Sequence, residues 1–229
     1  MVCVGISVFT ACEDFLEKEP IGRDTENVFY DDPDNAILAV NACYDVLTWG
    51  QGPIPTNPTS ASYLGHFEAF MIGDILTDDA LKGGAGPSDE KVLQQMKEWR
   101  VTPQSDKVTT LWSNCYAGIF RCNSAIYHLE GASIDASLKF RLLGEVKFLR
   151  GYYYFYLVRV FGGVPLLLSP PERDEAGMYE RTSLPEVYAQ VEADFQYAIA
   201  HLPRKSEYLP QDMGRATRGA AMAYLARAI

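Results

Sequence analysis

The chain has 229 residues, 48% of them hydrophobic and 22% charged, a composition that supports a globular fold with a substantial core and excludes disorder as the starting expectation. Twenty Lys and Arg stand against thirty Asp and Glu, a formal net charge of −10. An acidic surface repels a phosphate backbone, so nucleic acid is excluded as a partner.

Residues 1–11, MVCVGISVFTA, form an uncharged apolar run, followed at once by Cys12 and the acidic Glu13, Asp14, Glu17 and Glu19. The polarity step predicts a signal peptide that has lost its positively charged leader; a buried N-terminal strand or helix is the alternative. Phe9-Thr10-Ala11-Cys12 resembles the lipobox of bacterial lipoproteins, in which the cysteine is acylated and becomes the mature N-terminus. No later segment reaches the ~20 apolar residues of a membrane helix, so any attachment is through lipid. The five cysteines, at 3, 12, 43, 115 and 122, lack the paired short spacings of zinc sites. Cys115 and Cys122 would stand too far apart along one helix to form a disulfide and read as small buried apolar residues.

Asp32-Pro33 opens the first helix as N-cap and first-turn proline. Ala36, Val40, Cys43 or Tyr44, and Leu47 recur at helical spacing, and Gly50 ends the run. Residues 51–62 carry three prolines and read as a loop; a second helix is expected from about 61 to 75. Residues 77–89, TDDALKGGAGPSD, form the most conspicuous loop. Trp112, Cys115, Ile119, Cys122, Ile126 and Leu129 then make one apolar stripe on a helix from about 107. A longer helix from Asp135 to about Phe161 follows, amphipathic through Leu138, Leu142, Val146 and Leu149 and apolar nearly all round in its second half, which must be central to the core. Gly162-Gly163 and Pro165 stop it, leaving a short extended segment over 164–168.

Ser183-Leu184-Pro185-Glu186 is a capping box, and Val187, Val191, Phe195, Ala198 and Leu202 share one face of the helix it opens. A final helix after Gly214 is rich in small residues; Ala221, Leu225 and Ala228 match the spacing of the second helix of a tetratricopeptide repeat, with a generic helical hairpin as the alternative. That helix ends at Ile229 without a cap, from which a C-terminal truncation is expected.

Several of these segments together resemble the SusD/RagB family. Cys12 followed by EDFLEKEP matches its acidic N-terminal leader. Gly144-Glu145-Val146-Lys147-Phe148-Leu149-Arg150-Gly151, the aromatic run 152–155, and Phe161-Gly162-Gly163-Val164-Pro165-Leu166 match its central block, with Val146 and Gly151 where alanine is commoner. Trp112 with Tyr116, Ile119, Arg121 and Asn123, then Arg181 with Glu186-Val187-Tyr188, and Gly214-Arg215-Ala216-Thr217 extend the match to the end. The resemblance implies an all-α fold of tetratricopeptide-like helical hairpins. It divides the chain into a truncated signal peptide, 1–11, and an N-terminal helical domain, 12–229, with the family's C-terminal half absent. It also implies a surface-exposed lipoprotein of the outer membrane, anchored at Cys12, that captures oligosaccharides for a SusC-like TonB-dependent transporter and needs no cofactor.

Glu145, Lys147 and Arg150 lie on the long helix, where charges pair with neighbouring elements more often than they catalyse. His66, His128 and His201 are scattered, and no metal-ligand or nucleophile motif is present. Asp78, Asp79 and Lys82 on the glycine-rich loop, with Trp99 nearby in sequence, are the candidate ligand-binding residues: polar groups for sugar hydroxyls and an aromatic face for a sugar ring. Trp99 also reads as a core residue, since tryptophan is usually well buried. A peptide- or other nutrient-binding lipoprotein, and less readily a glycoside hydrolase with paired carboxylates, are the competing functions.

Overall fold

In the computed structural model the described residues are 26–48, 71–86, 88–89, 91–170 and 179–229. The expected signal peptide, Cys12, the acidic leader, the loop 51–62 and the start of the helix expected from 61 lie outside them. The described residues are almost entirely helical: α1 (Glu26–Phe29), α2 (Pro33–Asp45), α3 (Lys91–Lys97), α4 (Asp106–Gly131), α5 (Ala136–Phe161), α6 (Leu184–His201) and α7 (Arg218–Ala228), with a π-helical turn at Met71–Ile75.

The boundaries follow the local chemistry. Asp32 caps α2 by accepting from the Asp34 and Asn35 N–H groups at 2.9 and 3.0 Å. Asp135 caps α5 through the Leu138 N–H, and Ser183 with Glu186 forms the capping box of α6. α2 stops at Asp45 and tightens into a 3-10 turn, Val46–Thr48, before Gly50 is reached. α3 was not foreseen.

α5 is the hub. It packs against α4 on one side and α6 on the other, α2 closes over α4 and α5, and α7 lies on α6. These successive antiparallel pairs are helical hairpins of the tetratricopeptide kind. From Leu142 onward most of the α5 residues are buried, including Tyr153, Tyr154, Phe155, Leu157 and Val158. The helices approach closely where glycine permits: a Cβ at Gly118 of α4 would stand 2.5 Å from the Tyr153 ring. At Gly151 a Cβ would stand 3.1 Å from the Phe195 ring, the packing reason for glycine there. Cys43, Cys115 and Cys122 are buried and not joined in disulfides, as the spacing of Cys115 and Cys122 suggested for that pair.

The charges on α5 pair with other elements. Arg150 makes a two-pronged bond to Asp194 of α6, at 2.8 and 2.7 Å, and donates to the Asn123 Oδ1 of α4 at 3.0 Å. Glu145 meets Arg215 at 2.9 Å, while Lys147 lies over the Tyr197 ring, 4.3 Å from its centroid. The segment after Gly162 is extended without joining a sheet, and side chains satisfy its backbone instead. Tyr116 donates to Pro165 O at 2.7 Å, Asn123 to Leu167 O at 2.9 Å, and the Tyr154 hydroxyl accepts from Leu167 N–H at 2.7 Å. No described helix is long and apolar enough to cross a membrane.

Candidate ligand-binding surface

A small second core organises the surface built by residues 71–100. Ile75, from the π-helical turn, packs with Leu93 and Met96 of α3, and Leu76 and Val92 close around them. Lys97, in the last turn of α3, donates to the Thr77 carbonyl. The end of α3, and with it Trp99, is therefore tied to the start of the loop that carries Asp78 and Asp79.

The loop is braced internally. Gly83 and Gly84 turn the chain at φ 73° and 85°, in the left-handed region that glycine enters freely, and a Cβ at Gly84 would collide with the Asp89 carboxylate. Lys82 donates to the carbonyls of Gly86, at 3.0 Å, and Asp89. Asp89 Oδ2 accepts from Ala85 N–H at 3.1 Å. Lys82 thus acts on the loop's own backbone, whereas Asp78 and Asp79 are exposed, with the Thr77 hydroxyl accepting from the Asp79 N–H at 3.2 Å.

Trp99 is 77% exposed, which overturns its reading as a core residue. Its backbone explains how it is held out. Trp99 N–H donates to Met96 O at 3.0 Å and Arg100 N–H to Gln95 O at 2.8 Å, the paired bonds of a Schellman motif, with Trp99 at the position that glycine normally fills. It adopts φ 58°, alone among the described non-glycine residues in having positive φ. Left-handed backbone costs an L-residue about 1–2 kcal/mol, so tryptophan sits here against local preference.

The neighbours stiffen the turn. Glu98 accepts from Gln94 Nε2 at 2.7 Å and from Arg100 Nε at 2.8 Å, so the two residues flanking Trp99 are clamped together. The hydrogen bond from Gln94, and then that from Arg100, hold the Glu98 carboxyl below its ordinary pKa. Trp99 offers a flat aromatic face on a fixed stem, a shape suited to stacking on the CH face of a sugar ring, and Lys97 links the end of its helix to the start of the loop whose exposed Asp78 and Asp79 can accept hydroxyl hydrogens. Among the described residues no group of three or more His, Cys, Asp or Glu is placed to hold a metal ion. Residues 98–100 carry the clue that composition missed: Glu98 and Arg100 bracket the tryptophan.

Residues 73–229 match the family model for SusD-like proteins described as starch-binding and associating with the outer membrane. A SusD-like protein of Formosa agariphila is 27% identical over 213 residues, which span 92% of this chain and 38% of the relative. Among solved structures, a laminarin-binding SusD-like protein is 30% identical with a TM-score of 0.72, over 85% of this chain and 39% of its own. A SusD-like carbohydrate-binding protein from Bacteroides fragilis is 26% identical with a TM-score of 0.69, over 88% and 37%. The chain thus spans under two fifths of the length of each of these relatives. With the match running from the π-helical turn through every later helix, the chain belongs to the SusD-like family of outer-membrane-associated proteins.

Proposed function

We propose that the protein is a non-enzymatic glycan-binding lipoprotein, displayed on the outer-membrane surface through an acylated Cys12, that captures oligosaccharides for a SusC-like TonB-dependent transporter. In this reading residues 1–11 are the remnant of a signal peptide, and 12–229 form the N-terminal helical domain of a longer protein. Trp99 supplies the stacking face and Asp78 and Asp79 bond the hydroxyls; Lys82 contributes by fixing the loop that carries them. The observation that carries the proposal is Trp99 itself, 77% exposed and held at a left-handed backbone position that is costly for tryptophan. The similarity to a laminarin-binding solved structure makes β-glucan the first glycan to test.

Calorimetric titration of the full-length protein with laminarin, starch and xylan, run beside a reducing-sugar assay, tests this directly. Saturable binding to at least one polymer without release of reducing ends is expected. Sugar release would point to a hydrolase, and binding to peptides alone would move the protein to another nutrient. Incorporation of labelled fatty acid that disappears in Cys12→Ala tests the anchor.

A further inference from the structure

Two residues beyond Trp99 the chain enters a groove of about 610 Å³, within the size range of small-ligand sites. Val101 and Thr102 form its near edge, and two residues of chain reach at most ~7 Å, so the groove adjoins the Trp99 surface. Its aromatic wall is Trp112 of α4 with Phe161 at the end of α5, the rings edge to face at 5.0 Å. Among the described residues its polar side chains are three hydroxyls and one guanidinium, those of Thr102, Thr109, Ser113 and Arg181, and valines and Pro103 complete the apolar lining. Arg181 donates to Phe161 O at 2.9 Å; that bond fixes the guanidinium at the rim and occupies one of its five donors. Among the described residues no carboxylate lines the groove.

An apolar aromatic wall with a rim of hydroxyl groups and a guanidinium is complementary to a pyranose, whose CH face is apolar and whose equator is hydroxylated. We infer that the groove is a second sugar subsite, receiving the next rings of a glycan chain whose leading ring stacks on Trp99. This rests on the glycan-binding reading above and adds that affinity depends on chain length. Trp112 serves the packing of α4 as well as the groove, since it also lies 4.9 Å from the Tyr116 ring; the test therefore avoids mutating it.

The experiment is calorimetry on the full-length protein with laminaribiose and laminarihexaose, comparing wild type with Ser113→Trp, Arg181→Met and Trp99→Ala. Ser113 is an exposed helix position, so tryptophan there fills the groove without removing a core contact. Wild type should bind the hexaose at least tenfold more tightly than the biose. Both groove variants should lose most of that gain, and Trp99→Ala should weaken both sugars. Hexaose affinity unchanged in Ser113→Trp and Arg181→Met overturns the groove subsite and leaves the Trp99 reading standing. Absence of binding of either sugar to wild type overturns both. Should Ser113→Trp fail to fold, judged by circular dichroism, Arg181→Met decides alone.

Discussion

Two buried charges of α5 show how the same helix handles ionised groups in different ways. Arg150 is matched by Asp194 and Asn123, and its guanidinium also reaches Leu168 O at 3.5 Å, so one residue joins α4, α5, α6 and the extended segment. Removing one partner of a buried pair strands the other charge, at a cost of about 3–5 kcal/mol. Arg150→Met should lower the free energy of unfolding by that amount in urea titration, and a loss under 1 kcal/mol would show the network to be dispensable. Glu145 is fully buried beside Arg215 and Arg141; burial raises its pKa, and Arg215 only partly offsets the shift. A carboxyl whose folded pKa is raised binds its proton more tightly when folded. Its contribution is therefore greatest below the ordinary carboxylate range and is lost as pH rises through the raised value. Relative to Glu145→Gln, the wild type should lose stability progressively from pH 4 to pH 7. A difference that stays flat over that window would contradict the shift.

The elements that pattern and capping made legible are those with long uninterrupted faces. The stripe from Trp112 to Leu129 and the two-part helix ending at Phe161 appear as α4 and α5, because apolar periodicity and Gly162-Gly163 leave no other solution. The capping box placed the start of α6 to the residue. α3 escaped notice because its seven residues give only Leu93 and Met96 to a core, too few for a periodic signal. α7 is legible by its small residues, and Ala221 is its one buried side chain, while Met222 is 56% exposed. Amide exchange should therefore run faster in α7 than in the second half of α5. Equal protection would mean that the α6–α7 contact carries more stability than its burial suggests.

At the scale of the molecule, the fold was legible because hallmark residues have physical duties. Tyr116, Asn123, Arg150 and Tyr154 together hold the extended segment 164–168, which no sheet supports. The proposed ligand surface was legible only in part. Asp78 and Asp79 stand exposed as expected, but the bracing role of Lys82 depends on carbonyls brought round by two left-handed glycines. The groove draws on segments around 101–113, 160–161 and 181, a meeting that no local pattern records. Trp99 lies between these cases, visible as a residue type yet undecided between core and surface until its backbone was seen. Its strained position supplies the sharpest test of the account. In the full-length protein, Trp99→Gly should raise stability by up to about 1 kcal/mol, because glycine relieves the left-handed strain and little burial is lost, while laminarihexaose affinity measured by calorimetry falls at least tenfold. Unchanged affinity, with or without the gain in stability, would contradict the claim that this tryptophan is kept for ligand capture.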